Sequence, residues 1–356
     1  MSKKPQVFLE SHHINNMFTG FGHFNYWMLK SLSEAQSEFE FTAYALRRSP
    51  FKDFADKVKF KRYYSLHRHK PLRIRTRYDI WHSLNQNTKV EPYHDLPYLM
   101  TLHDVNFMEQ DPVGGAKRKN FKLLKEKINR SDTIVYISEF AKRSANKYFD
   151  IPSSIPQQVI YNGNPVSAIA PVHSTKPPAL NKPFLLSLGQ FRDTKNFHSL
   201  VGMLSNLKDY QLVLAGDNET LYGNVVKEEI RKHGLEKRVI LTGRITELEK
   251  HFYLQNCEAF LFPSLCEGFG MPPIEAMAYG KPVFLANRTS LPEIGGDFAF
   301  YWDTNDPTSM AEVFREGMNI YQNNNTLYSL ELKKRAEFFD WKKTASEYLQ
   351  VYRSLL

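Results

Sequence analysis

The sequence predicts an α/β protein of two domains, each built on a parallel sheet. Three observations carry this. Short apolar runs alternate with helical patterns through both halves of the chain, which is the signature of strands joined by helical crossovers. Several of these runs end in loops that carry glycine. Between the halves, Pro165 to Pro183 is rich in proline and small residues and has no hydrophobic period, so it reads as a linker, with the boundary near residue 175. At 356 residues the chain is long enough for two full cores. Right-handed crossovers then give two Rossmann-like domains, expected to face each other across a cleft.

In the first half, Gln6 to Leu9 reads as a strand, and Gly20 and Gly22 lead into a helix with Phe24, Trp27, Met28 and Leu32 on one face. Strand, Gly-x-Gly and helix suit a phosphate approach, although a tight turn explains the two glycines equally well. Phe39 to Tyr44 is a second strand, and Asp79 to Gln86 holds a short strand with its exit loop. Tyr98 to Leu102 is a strand ending in His103 and Asp104. Open α/β sheets bind ligands at strand C-termini, which places His103 for chemistry; capping of the next turn is the plainer reading. Lys117 to Arg130 is a basic helix, Thr133 to Ile137 a strand, and Ser138 the N-cap of the helix that follows. Asn162-Gly163 marks a turn.

The second half repeats the alternation. Strands are expected at Phe184 to Leu188, Gln211 to Ala215, Val239 to Leu241, Ala259 to Phe262, Pro282 to Ala286 and Phe298 to Tyr301. Helices fall at about 198–207, 222–233 and 248–255, and the last segment, from Phe338 on, is an amphipathic helix. The stretch Phe262 to Val283, FPSLCEGFGMPPIEAMAYGKPV, is the most informative. Gly268 and Gly270 allow close backbone approach, Pro273 suits a first helical turn and Gly280 a helix end. A helix N-terminus with partial positive charge then faces a loop, a site suited to phosphate. Glu267 in the loop and Glu275 in the helix are carboxylates that accept hydrogen bonds from a vicinal diol. Amides for a diphosphate and carboxylates for hydroxyls together suggest a nucleotide sugar; an ordinary strand–loop–helix unit with solvated acids explains the spacing equally well.

That stretch resembles the E-x7-E signature of the retaining glycosyltransferases of the GT4 family, which have the GT-B fold. TLHDVNFM, VYISEFAK and VIYNGNPV resemble further family segments. The resemblance implies an N-terminal acceptor-side domain over 1–174, a nucleotide-sugar domain over 175–338, and a terminal helix over 339–356 crossing back onto the first domain. It implies that Glu275 binds the ribose hydroxyls and Glu267 the donor-sugar hydroxyls, with Glu267 orienting the sugar and not attacking it. Backbone N–H groups of Phe269, Gly270 and Met271 would face sugar and phosphate, and Arg244 and Ile245 the nucleobase. His103 would lie near the donor sugar, and Gly20 and Gly22 would form the N-domain glycine loop. Lys195, after Gly189, matches the family lysine that meets the leaving diphosphate. The family's arginine is displaced: Gln190 and Thr194 occupy its usual positions, and the role passes to Arg192. The resemblance also implies retention of configuration by same-face displacement.

The chain contains no D-x-D triplet and no Cys/His cluster with metal-ligand spacing, so no metal or other cofactor is expected. Hydrophobic content of 42% and charged content of 24% suit a soluble globular protein, and no apolar run reaches the ~20 residues that span a bilayer. The N-terminal residues lack the apolar core of a secretion signal, and Cys257 and Cys266 make no disulfide framework, so a cytoplasmic protein is expected. The net charge is +9, and between Arg47 and Arg77 twelve Lys and Arg stand against Asp53 and Asp56 alone. This basic segment, interleaved with Phe51, Phe54, Phe60, Tyr63 and Tyr64, suits an anionic membrane surface. A solvated face with no partner is its plainer reading. No motif for nucleic acid accompanies it, so none is expected. The expected activity is hexose transfer, mannose from GDP-mannose first and UDP sugars next, to a glycan or lipid-linked acceptor in surface polysaccharide synthesis. A sugar phosphorylase, a nucleotide-sugar epimerase or a non-catalytic nucleotide-sugar-binding protein are the alternatives on this fold.

Overall fold

The structure, a computed structural model, describes residues 4–110, 115–166 and 180–356, with the side chains of 110 and 115–118 left aside. The chain forms two compact units, Met1–Pro165 with Phe339–Leu356, and Val166–Phe338. The boundary expected at 174/175 lies outside the described residues.

Unit 1 is a seven-stranded sheet with every neighbouring pair parallel. Its strands are β1 Gln6–Glu10, β2 Glu40–Ala45, β3 Lys59–Arg62, β4 Ile80–Ser83, β5 Tyr98–Leu102, β6 Thr133–Tyr136 and β7 Gln157–Val159. The order across the sheet is β3-β2-β1-β4-β5-β6-β7. β4, β5 and β6 are buried along their whole length, as continuous apolar runs in a covered parallel sheet must be. The helices are α1 Gly20–Glu34, α2 Asn106–Gln110, α3 Gly115–Arg130 and α4 Glu139–Tyr148, the last capped by Ser138 accepting from Ala141 N as expected. Two readings are corrected. The basic segment contains the edge strand β3, hidden in sequence because an exposed edge tolerates the charges of KFKR. Gly20 and Gly22 form no turn: they sit in the first turn of α1, whose cap Thr19 accepts from Gly22 N at 3.1 Å. Gly22 is required there because a Cβ would fall 2.0 Å from Asn16 O.

Unit 2 is a six-stranded parallel sheet in the order β10-β9-β8-β11-β12-β13. Its strands are β8 Phe184–Leu188, β9 Gln211–Ala215, β10 Val239–Gly243, β11 Ala259–Phe262, β12 Val283–Ala286 and β13 Phe300–Trp302. The helices are α5 Phe197–Ser205, α6 Leu221–Lys232, α7 Glu247–Asn256, α8 Met271–Ala278, α9 Leu291–Gly295, α10 Pro307–Asn323 and α11 Asn325–Phe338. The sequence pattern does not predict α10 and α11. One core joins Leu185, Leu212, Leu214, Leu261 and Phe284 of the sheet to Phe197, Leu200, Met310 and Phe314 of the helices.

The last helix, α12 Trp341–Ser354, returns to unit 1. Its Tyr348 and Tyr352 are fully buried there. Tyr352 Oη lies 2.7 Å from His82 Nδ1, His82 Nε2 lies 2.8 Å from Thr101 Oγ1, and Thr101 Oγ1 lies 2.9 Å from Tyr348 Oη. This chain of bonds gives each of the four buried side chains a hydrogen-bond partner, so it fixes where the helix docks.

Candidate active site

Strand order reverses at one place in each sheet, between β1 and β4 in unit 1 and between β8 and β11 in unit 2. At such a point the loops leaving neighbouring strands diverge, and a crevice opens at their C-terminal ends. In unit 2 the sequence-predicted residues gather at that place. Gly189 directly follows β8, and Lys195 ends a short 3-10 turn over Asp193–Lys195. Glu267 follows β11 in the loop to α8.

The two loops are tied together by hydrogen bonds to backbone carbonyls. Leu265 N donates to Thr194 O at 2.7 Å, Ser264 Oγ to the same oxygen at 3.0 Å, and Asn196 Nδ2 to Pro263 O at 3.3 Å. Asn196 holds the left-handed conformation, φ 55°, a strain that local structure must repay. The result brings Lys195 Nζ onto Glu267 Oε1 as a hydrogen-bonded ion pair, both side chains largely sheltered at 18% and 16% exposure. The Lys195 stem passes over Gly189, and its ammonium lies 5.0 Å from the Phe262 ring centroid. Two hydroxyls that sequence reasoning missed fix the main chain of Glu267. Thr289 Oγ1 accepts from Glu267 N at 3.3 Å, and Ser290 Oγ donates to Glu267 O at 3.1 Å. Thr289 does so at φ 55°, rare for a β-branched residue.

Glu275 is buried on α8, and its Oε1 accepts from Lys250 Nζ at 2.7 Å; Lys250 also pairs with Glu247 at 2.8 Å. Burial alone would pull the Lys250 ammonium down, but Glu275 and Glu247 outweigh it and hold it above its ordinary value. Sequence reasoning missed Lys250, since its partner lies on another helix 25 residues away. Phe269 and Gly270 are buried, and Gly270 caps α8 at φ 123°, where an added Cβ would also meet Leu291 Cδ2 at 3.0 Å. The α8 N-terminus is poorer in donors than a helix end usually is. Pro272 and Pro273 carry no N–H, which leaves Gly270 and Met271 as its free amides. Arg192 is exposed, Arg244 pairs with Asp217 at 2.7 Å on the surface, and Ile245 is half-buried beside it.

His103, just past β5 in unit 1, is buried, and its Nε2 lies 2.8 Å from Leu84 O. A carbonyl only accepts, so the proton sits on Nε2 and the lone pair on Nδ1. Burial pulls this imidazole down to about 4, with His13 adding to the effect, so it is neutral at pH 7. It packs edge-on against Phe21 and Phe24 of α1. Gly22 N–H is consumed by the Thr19 cap. Among the described residues no group of three or more His, Cys, Asp or Glu is placed to hold a metal ion. Cys257 and Cys266 are buried and form no disulfide.

Residues 172–329 match the sequence profile of the family described as glycosyl transferases group 1. The chain is 27% identical to the serotype-specific mannosyltransferase WbdA of Escherichia coli over 246 residues, covering 64% of this chain and 29% of that protein. It is 23% identical over 272 residues to the O-antigen chain mannosyltransferase B of Escherichia coli, covering 72% of this chain and 70% of that protein. The chain thus spans less than a third of the length of WbdA. Among solved structures, sucrose-phosphate synthase from Thermosynechococcus elongatus superposes with a TM-score of 0.79 at 17% identity, over 99% of both chains. Anabaena HepE in complex with UDP-glucose does so at 0.74 and 16%, over 99% of this chain and 100% of that one. These likenesses identify the fold as GT-B. Two parallel Rossmann-like sheets give the chain its GT-B fold, and residues 172–329, which hold the E-x7-E stretch seated at the β8/β11 reversal, are similar to the group 1 glycosyl transferases.

Proposed function

We propose that the protein is a retaining hexosyltransferase that moves a hexose, mannose from GDP-mannose first, from a nucleotide sugar to a glycan or lipid-linked acceptor of a surface polysaccharide. The observation that carries this is the Lys195–Glu267 pair at the β8/β11 reversal, beside the α8 N-terminus. Glu267 is satisfied by the lysine in this state. A donor gives each partner a better role: the diphosphate takes the ammonium, and sugar hydroxyls donate to the freed carboxylate. The mannosyltransferase relatives favour mannose, while the HepE complex, whose likeness is one of fold, keeps UDP-linked donors in the screen.

In the reaction the bond from the sugar C1 to the diphosphate oxygen breaks as the acceptor oxygen bonds to C1 on the same face. The acceptor proton passes to the departing phosphate oxygen. Charge grows on the diphosphate, and Lys195 with the Gly270 and Met271 amides is preorganised to meet it. Positive groups already aimed at developing negative charge commonly lower such a barrier more than any other device. No divalent ion is called for. Glu275, exchanging Lys250 for ribose hydroxyls, holds the nucleoside, with Arg244 and Ile245 beside the base. His103, neutral with its lone pair on Nδ1, can accept a hydrogen bond from a hydroxyl and cannot serve as the cation for phosphate. Calorimetric titration with GDP-mannose, UDP-glucose and ADP-glucose, followed by product analysis with and without chelator, tests this. Binding of none of them, or activity abolished by chelation, removes the reading.

The basic segment supports peripheral docking on an anionic membrane. Leu46, Tyr64, Leu66 and Leu72 are each about half exposed among its lysines and arginines. Arg48 lies over Phe60 and Arg62 over Tyr64, 5.2 and 5.6 Å from the ring centroids. Apolar side chains to insert and cations to meet headgroups are the two parts such docking needs. Among the described residues no helix is long and apolar enough to cross a membrane. Co-sedimentation with phosphatidylglycerol vesicles is expected at low salt and lost at high salt, and binding indifferent to both charge and salt rejects it.

A further inference from the structure

Unit 1 has its own point of strand reversal, and a charged pair sits on it. Glu10 is the last residue of β1, paired in register with Ser83, the last residue of β4, so it lies where the β1 and β4 loops part. Its carboxylate is fully buried, and Oε1 is hydrogen-bonded to His12 Nδ1. Oε2 has no hydrogen-bond partner among the described residues. A buried carboxylate oxygen without a donor is costly, so Glu10 is held there for its bond to His12 and not for packing. His12 is the outward end of the pair, 22% exposed, its ring stacked on Tyr63 at 4.5 Å and beside His13 at 4.2 Å. With Nδ1 engaged by Glu10, Nε2 makes no hydrogen bond among the described residues.

We infer that Glu10 and His12 form a hydroxyl-binding pair for a sugar acceptor in unit 1, with Glu10 positioning the imidazole and His12 Nε2 meeting the hydroxyl. The inference rests on the glycosyl-transfer reading for the identity of the ligand as an acceptor. A hydroxyl both donates and accepts, so it suits Nε2 in either protonation state. Phosphate is a poor fit, since the cluster already holds a buried carboxylate. The charge environment is consistent. Burial pushes the Glu10 carboxyl up, but His12, His13 and Lys127 outweigh it and hold it below its ordinary value. Burial pulls His12 down, and Glu10 outweighs that and holds it above its ordinary value.

The test has one arm that needs no donor. The full chain, labelled with nitrogen-15 in its histidine rings, is titrated with methyl α-mannoside, methyl β-glucoside and methyl α-galactoside. The His12 Nε2 resonance is expected to move saturably with at least one of them in the wild type and with none in Glu10→Gln. A His12 ring unmoved by all three overturns the inference. In the kinetic arm, with whichever nucleotide sugar the wild type accepts, His12→Gln and Glu10→Gln are each expected to raise the acceptor KM about tenfold or more, the size of one lost hydrogen bond to a charged group. Donor hydrolysis without acceptor changes less than twofold. Equal loss in both assays, or an unchanged KM, overturns it; the partly exposed His12→Gln keeps the test open if the buried Glu10→Gln misfolds. A wild-type chain that hydrolyses no nucleotide sugar defeats the glycosyl-transfer reading by itself, and the glycoside titration then decides this one.

Discussion

The two points of strand reversal solve the same problem with different partners. Each places a carboxylate at the C-terminal end of a parallel sheet, where neighbouring crossovers diverge. In unit 2 the partners are lysines, Lys195 for Glu267 and Lys250 for Glu275. In unit 1 the partner is an imidazole, His12, with His13 beside it. Lysine stays charged across the physiological range, so unit 2 offers a constant counter-charge for an anion. Histidine changes charge near neutrality, so unit 1 is the half whose electrostatics respond to pH.

That contrast is tested most strongly by acid. Burial pulls His82 down to about 3, with His103 adding to it, and pulls His103 down to about 4. Their folded values lie below the ordinary 6.5, so the unfolded chain binds more protons in between. Their stabilising contribution is present above about 6.5 and is lost as pH falls toward 4 and then 3, on the order of 8 kcal/mol in all. His13, shifted down by burial and His12, has the same sign. His12, shifted up, has the opposite one: its contribution is complete below 6.5 and fades as pH rises through its folded value. Hydrogen exchange followed from pH 7 to 4 is expected to show β4, β5 and α12 opening before β8 and β11. Simultaneous opening of both sheets breaks the comparison.

A smaller effect, about 3 kcal/mol, is expected for Lys250→Met, which strands the buried Glu275 without its cation. Denaturant melts check it, and an unchanged midpoint means Glu275 has another partner. Lys195→Ala is expected to lower turnover about 10²-fold with little loss of stability, because the mutated group acts on charge that develops in the reaction. Equal turnover removes Lys195 from the mechanism. The smallest effect is Thr289→Val, about 1 kcal/mol, from losing the acceptor for Glu267 N. Denaturant melts check it, and the picture sharpens if the donor KM rises as well.

Much of this is legible in the sequence. β5, β8, β9 and β11 can be read there with their bounds intact, because each is a short apolar run cut off by turn residues. Lys195, Glu267 and Glu275 follow from spacing and resemblance. What escapes depends on tertiary contact. Lys250 is an ordinary helix lysine until α8 brings Glu275 against it. Glu10 and His12 are two residues apart in plain view, but only burial makes a charge there unusual. α11 escapes for a local reason, since among its side chains Leu332 and Ala336 alone are buried and no apolar stripe marks it.

The return of α12 to the first sheet bears on synthesis. Unit 2 is one uninterrupted segment, Val166–Phe338, while unit 1 is split around it. A ribosome therefore releases every residue of the second unit before it makes the helix that closes the first. Until Tyr348 and Tyr352 emerge, His82 and Thr101 lack their partners, and the half begun earliest is the half finished last.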